Sequence, residues 1–176
     1  KESSTDDIEV LNLFMKISTN QKDKFKIEKL IADKNFLANK DTLKNFKIIA
    51  ANGQKMNLFE ISKENNTVIY FWSKKYMDSN YLKSRVDYLT SKHPEFKFIG
   101  INTDKSLSTN DLKKLNHSHH YQLSENSFGK NYNTSGYPRT IIVSKDNIVV
   151  NSYSNISSKY FSENLAPLKK TIVSLD

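Results

Sequence analysis

The stretch Thr67-Val68-Ile69-Tyr70-Phe71-Trp72-Ser73 decides the reading of this chain. Six consecutive β-branched or aromatic residues, without the polar alternation of a half-exposed strand, describe a strand buried on both faces. Asn65-Asn66 before it reads as a turn. A helix is expected after it, from about 78 to 91, because Leu82, Val86 and Leu89 recur at spacings of four and three and form one apolar stripe. His93-Pro94 closes that helix, and Phe96 to Ile101 reads as a second buried strand. A strand, a helix and a second strand imply a parallel crossover.

Upstream, Phe46 to Ile49 and Gln54 to Leu58 flank Asn52-Gly53, a hairpin signal because both residues tolerate positive φ. Downstream, a helix is expected to open at Leu107-Ser108-Thr109-Asn110-Asp111 and to turn Leu112 and Leu115 inward, followed by a short helix around 126–132. Thr140 to Val143 and Ile148 to Val150 form a second hairpin about Lys145-Asp146-Asn147, and the tail from Ser158 to Leu175 is helical, split by Pro167. Residues 1–45 are polar and helical, with Asp6-Asp7 as a cap for a helix carrying Leu11, Phe14 and Ile17, and a second helical segment from Lys22 to Leu37. The expected order after this extension is β-β-β-α-β-α-β-β-α: an α/β domain with a mixed sheet, helices on both faces and an N-terminal β-hairpin. The expected division is 1–45 as helical extension or linker and 46–176 as the domain. No internal repeat is visible.

Composition removes several function classes. The chain has 176 residues, no cysteine, four Gly and a formal net charge of +8. Without cysteine there is no disulfide, thiol nucleophile, iron–sulfur cluster or cysteine-ligated zinc. Four glycines argue against a phosphate-cradling loop. The basic excess is carried by Lys interleaved with Asp and Glu, with Arg only at Arg85 and Arg139. Nucleic-acid binding needs a clustered basic face and favours Arg, so it is not expected. The mean hydropathy of -0.64 and the absence of any run near 18 apolar residues leave no membrane-spanning segment. The polar start Lys1-Glu2-Ser3-Ser4 could follow a cleaved signal or a lipid anchor, or be a cloning boundary.

Three local features carry a resemblance: Asn52-Gly53-Gln54-Lys55 before Leu58; the run Val68 to Ser73; and Gly136-Tyr137-Pro138-Arg139-Thr140-Ile141-Ile142-Val143 leading to Lys145-Asp146-Asn147-Ile148-Val149. Together they resemble thioredoxin-like proteins, in the branch of exported thiol–disulfide oxidoreductases and peroxiredoxin relatives, over about residues 46–175. The resemblance implies a Cys-x-x-Cys just after Phe-Trp. Here Tyr76 and Ser79 stand at those positions, in Lys75-Tyr76-Met77-Asp78-Ser79. Neither residue can form a disulfide, and both are protonated at neutral pH at their ordinary pKa values. The chain is similar in this respect to cysteine-less paralogues of Bacteroidetes-type bacteria.

The same resemblance makes Pro138 the family's cis-proline, against the alternative of a trans proline in an ordinary loop. It places Trp72, Tyr76, Met77, Ser79, Tyr137 and Pro138 around the former redox site. They could line a groove for a protein or peptide partner, or only fill the space left by the missing motif. Glutathione transferases use Tyr or Ser to activate a bound thiol on a related fold, a role open to Tyr76 or Ser79, although that family's all-helical domain has no counterpart here. His117, His119 and His120 are a weak metal-ligand candidate; the alternative is a solvated loop before Tyr121. No cofactor is expected. The preferred expectation is a redox-inactive binding module in the periplasm or cell envelope. The alternatives are a non-thiol enzyme, a metal-binding protein, or a structural domain of a larger protein.

Overall fold

The computed structural model describes residues 3–104, 119–132 and 138–173. At its centre is β3 (Thr67–Trp72), where all six residues are buried. It pairs in parallel with β4 (Lys97–Asn102) and antiparallel with β6 (Arg139–Val143). The seven strands lie in the order β2-β1-β5-β4-β3-β6-β7, with β1 Lys47–Ile49, β2 Lys55–Asn57, β5 His120–Leu123 and β7 Val149–Ser154. The sheet is mixed: β4–β5 is parallel, while β1–β2, β1–β5 and β6–β7 are antiparallel.

Strand alternation divides β3 between two cores. Val68, Tyr70 and Trp72 pack with Leu82, Val86 and Leu89 of α4 (Ser79–Lys92) and with Phe161, Leu165 and Leu168 of the C-terminal helices. Ile69 and Phe71 pack on the other side with Leu43, Phe46, Leu58 and Ile61. In the β3–β4 register Tyr70 lies opposite Gly100, where a Cβ would meet the phenol at 2.6 Å. Glycine there makes room for the Tyr70 ring.

The helices follow their local signals with some shifts. Asp78 caps α4, accepting from the N–H groups of Asn80 and Tyr81 at 3.0 and 2.8 Å, and the His93 N–H returns to the Leu89 carbonyl. Before the sheet, α1 (Ser3–Ile17) and α2 (Gln21–Phe36) form a helical hairpin. Asn20 caps α2, whereas Asp6-Asp7 lies within α1 rather than capping it, because the helix begins at Ser3. The strand expected to run to Leu58 stops at Asn57, and the chain turns into α3 (Leu58–Ser62), which buries Leu58 and Ile61 at i,i+3 spacing. In the tail a 3-10 helix (Phe161–Leu165) gives way to α5 (Ala166–Val173). Pro167 falls in the first turn of α5, where a missing N–H costs no hydrogen bond.

Strand β5 is absent from the expected order. In place of a solvated loop at His119 and His120, β5 completes the sheet between β1 and β4 and buries His120 and Tyr121. The helix expected from Leu107 to Leu115 lies outside the described residues.

The N-terminal region is tied to the sheet from Asp33 onward. Leu37 and Leu43 are buried in the second core. Lys40 and Leu43 donate backbone hydrogen bonds to Val149 and Asn147 at 2.7 and 2.8 Å, and the Val149 N–H returns one to Asp41 at 2.8 Å. Asp33 of α2 forms a wholly buried ion pair with Arg139, Oδ1 to Nη1 3.2 Å, across 106 residues of sequence. Arg139 also donates to the carbonyls of Ser152 and Asp33 and lies over the Tyr153 ring. Burial pulls the guanidinium pKa down, and Asp33 opposes that shift. Among the described residues Asp33 Oδ2 finds no hydrogen-bond donor, so the pair does more to fix position than to add net stability.

Removing one partner strands a buried charge. Asp33→Ala is expected to lower the unfolding free energy by about 3–5 kcal/mol in urea titration, and Arg139→Met in the same chain to recover much of that loss. A cost below about 1 kcal/mol for Asp33→Ala would show that α2 is not held at β6 by this pair.

Candidate functional site at the end of the central strand

Beyond Trp72 the chain makes a turn that two carboxylates hold in place. Asp104, just past β4, accepts from the Ser73 hydroxyl and from the Lys74 N–H, the latter at 2.7 Å. Asn102 supports Asp104 through its side chain, and Gln122 of β5 donates to the Asp104 carbonyl at 3.1 Å. The turn closes on itself as the N–H groups of Tyr76 and Met77 donate to the Ser73 carbonyl at 3.1 and 3.0 Å. Asp78 then occupies the first free N–H groups of α4. A helix N-terminus ordinarily attracts an anion; here a carboxylate of the chain already sits there.

The sequence-selected residues divide. Tyr76 stands on this turn with its ring 59% exposed and the Lys75 ammonium 5.3 Å from the ring centre. Met77 is half-buried against the α4-side core, and Ser79, also half-buried, is the first residue of α4. Pro138 is half-buried. The Phe71–Arg139 register brings Pro138 to the same end of the sheet as the turn. Trp72 is a correction: it is wholly buried, edge-on to His120 with ring centres 5.9 Å apart, and lines no groove. Both faces of β3 are covered, and strand parity puts Trp72 with Val68 and Tyr70 in the core beneath α4. Tyr137 and His117 lie outside the described residues.

Of the two described histidines of the cluster, His120 is taken up in the core. His120 Nε2 is hydrogen-bonded to Tyr70 Oη at 3.1 Å inside the core, and burial holds the Tyr70 phenol above its ordinary range, with Asp87 adding to the shift. Among the described residues no three His, Asp or Glu side chains gather as a metal site. A cleft of about 640 Å³ runs beside α4, lined in part by Tyr70, Phe96, Phe98, His119 and His120, and includes neither Tyr76 nor Met77.

Comparison with solved structures gives this geometry its context. A domain of a possible thiol-disulfide isomerase from Cytophaga hutchinsonii superposes with a TM-score of 0.62 at 13% identity, covering 78% of this chain and 97% of that one. The thioredoxin domain of a thiol-disulfide oxidoreductase from Bacteroides vulgatus gives 0.54 at 17% identity, covering 78% and 99%. A thiol peroxidase from Chromobacterium violaceum gives 0.56 at 16%, covering 79% and 89%. The fold is thioredoxin-like. No family profile and no curated protein sequence matches the chain. The absence of cysteine removes thiol–disulfide exchange from this thioredoxin-like scaffold.

One constellation escapes a reading of the sequence, because its members lie far apart in the chain. His93 Nε2 lies 2.8 Å from Ser162 Oγ, and Glu95 lies 3.9 Å from His93 Nδ1, in the outline of a serine–histidine–acid row. Lys169 reverses its polarity. Its ammonium donates to Nδ1 at 2.8 Å and pairs with Glu95 at 2.7 Å. An ammonium has no lone pair, so Nδ1 is the acceptor and the ring proton sits on Nε2, donating to Ser162 rather than taking its proton. The row is a latch between the end of α4, the 3-10 helix and α5, not a base for a nucleophile.

Two measurements follow from this geometry. In Tyr76→Cys the new thiol is the only one in the chain, and the filled helix end should leave its pKa at or above about 8.5, read from alkylation rate against pH. Asp78→Ala in that background should lower it; a Tyr76→Cys thiol already titrating below about 7.5 would show that the helix end still acts on anions. At the latch, burial first and then Lys169 and Lys92 hold the His93 imidazole below its ordinary 6.5, with Glu95 pulling the other way. The unfolded chain then binds this proton more readily, so the latch's contribution is complete above about 6.5 and is lost as pH falls through the lower folded value. The urea midpoint should fall with pH in that window, and His93→Gln should flatten the fall; an unchanged slope in the variant would refute the assignment.

Proposed function

We infer that this protein is a thiol-independent binding module that captures an extended peptide or protein segment at the Tyr76 turn. The observation that carries the reading is an exposed tyrosine on a turn fixed by Asp104 and Asp78, at the same end of the sheet as Pro138, on a scaffold lacking the chemistry of its structural neighbours. Exposed Tyr is a favoured interface residue because it offers a large contact area and a hydroxyl for few rotatable bonds. A turn already held by side-chain hydrogen bonds loses little entropy on binding. The segment would lie between the Tyr76 turn and the chain at Pro138, hydrogen-bonding to backbone there as an added strand. The reading includes a place in the cell envelope, supported by the thiol–disulfide oxidoreductases among its neighbours, a chemistry of oxidising compartments.

The test is selection of cysteine-free peptides from a displayed library, followed by affinity measurement on single substitutions. Tyr76→Ala should weaken the selected peptides at least about tenfold. Tyr160→Ala, another exposed tyrosine remote from the turn in sequence, should leave them unchanged. A library yielding no binder, or binders indifferent to Tyr76→Ala, would remove the turn as the binding site.

A further inference from the structure

A cavity of about 270 Å³ opens at the margin of the second core, where the end of α2, the 41–44 segment and the 3-10 helix Phe128–Tyr132 meet. Gly129 seats that 3-10 helix: a Cβ there would meet the Phe46 ring at 2.6 Å and Leu123 at 2.7 Å. The close approach brings Phe128 and Tyr132 up to Phe36, the last residue of α2. The three rings lie 5.5 to 6.1 Å apart, centre to centre. The Phe36–Tyr132 and Phe128–Tyr132 pairs meet edge to face, at 64° and 75°. Tyr132 is buried, while Phe36 is 45% exposed and walls the cavity toward solvent.

The rim carries one charge of each sign. Asp41 and Lys44 both line the cavity. Neither forms an ion pair among the described residues, with the other or with any further charge. Their backbone is fixed: the Val149 N–H donates to the Asp41 carbonyl and the Leu43 N–H to that of Asn147, both at 2.8 Å, and the Lys44 N–H donates to Tyr132 Oη at 2.8 Å. Asp41 Oδ2 accepts from the Ala38 N–H at 2.7 Å, which aims the carboxylate and leaves Oδ1 to a ligand. Lys44 reaches over the Phe128 ring, Nζ 5.2 Å from its centre, so the ammonium is held at the aromatic wall. An aromatic wall alone takes any apolar group, and a carboxylate alone any amine. A ring, an ammonium and a carboxylate in one small molecule is a narrower requirement, and a free aromatic α-amino acid meets it. Its ring extends the edge-to-face cluster at Phe36, its ammonium faces Asp41 and its carboxylate faces Lys44. The volume suits about a dozen non-hydrogen atoms, below the roughly 300–1,000 Å³ of drug-sized sites. A segment inside a peptide has neither backbone charge and would leave both side chains unpaired. The walls are held by hydrogen bonds before binding, so little ordering is required.

We propose that the cavity at Phe36, Phe128 and Tyr132 binds a free aromatic α-amino acid, with Asp41 as the partner of its ammonium and Lys44 as the partner of its carboxylate. The test is amide chemical-shift titration by NMR on the whole chain, with L-phenylalanine and its two single-charge analogues, phenethylamine and 3-phenylpropanoate. L-Phenylalanine should bind with a dissociation constant of about 1 mM or lower, and each analogue at least about tenfold more weakly. Phe36→Ala should weaken all three. Asp41→Asn, which keeps an oxygen for the Ala38 N–H, should weaken L-phenylalanine about tenfold and leave 3-phenylpropanoate unchanged. Lys44→Met, which keeps the backbone bond to Tyr132, should weaken L-phenylalanine by a similar factor and leave phenethylamine unchanged. Loss of folding could not produce this crossed pattern. An absence of saturable shifts with L-phenylalanine up to about 10 mM, or binding indifferent to both charge substitutions, would overturn the proposal. So would equal affinity for phenethylamine and L-phenylalanine, which would make the cavity a site for organic cations.

Discussion

Strand β3 has no face to spare. Its six residues are all buried, three committed to the core beneath α4 and α5 and two to the core closed by α3 and the 37–46 segment. A one-residue slip in register would exchange the two sets and drive Trp72 and Tyr70 into space shaped for Ile69 and Phe71. Tyr70 is further tied by its seat over Gly100 and its hydrogen bond to His120. The end of β3, and hence the position of the turn at Ser73, is determined from inside the molecule.

That determinism fixes the turn beyond β3 independently of the side chains the turn presents. In a thioredoxin-like redox protein the end of this strand and the start of the next helix place a thiolate against free N–H groups. Here Asp78 occupies those groups and Asp104 holds the turn before them. Both are carboxylates, so the local field opposes the anion that the redox site would favour. Restoring a thiol alone would not restore its reactivity. Tyr76 stands exposed on the turn that these two carboxylates fix.

The parts of the structure legible in the sequence are those encoded by neighbours in the chain. The β3 run, the Leu82–Val86–Leu89 stripe and the Asn52-Gly53 turn each state their conformation within a dozen residues, and the structure has them within a residue or two of the expected ends. β5 does not announce itself because it has four residues and two polar ones, and owes its existence to the gap between β1 and β4. The exposure of Tyr76 could not be read from its type, yet the burial of Trp72 could have been, because the run from Thr67 to Trp72 reads as buried on both faces. Asn102-Thr103-Asp104 carries a local hint of a polar clamp, since paired Asx residues after a strand commonly bond backbone. The Asp33–Arg139 pair and the His93–Lys169–Ser162 latch carry none, because nothing local couples residues separated by 69 positions or more.

The buried ion pair joins these observations. Arg139 opens β6 directly after Pro138, so whatever fixes Arg139 also fixes the chain leaving the candidate site. Asp33, near the end of α2, does so from within the core, and its imperfect hydrogen bonding argues against selection for stability alone. Hydrophobic residues of similar volume would fill that space at no greater free-energy cost, but they would specify its geometry less sharply. A helix docked only by apolar contacts could slide by a turn without much cost, whereas the Asp33–Arg139 pair holds α2 to one position on β6. The charge pair therefore does for the position of α2 what strand parity does for β3.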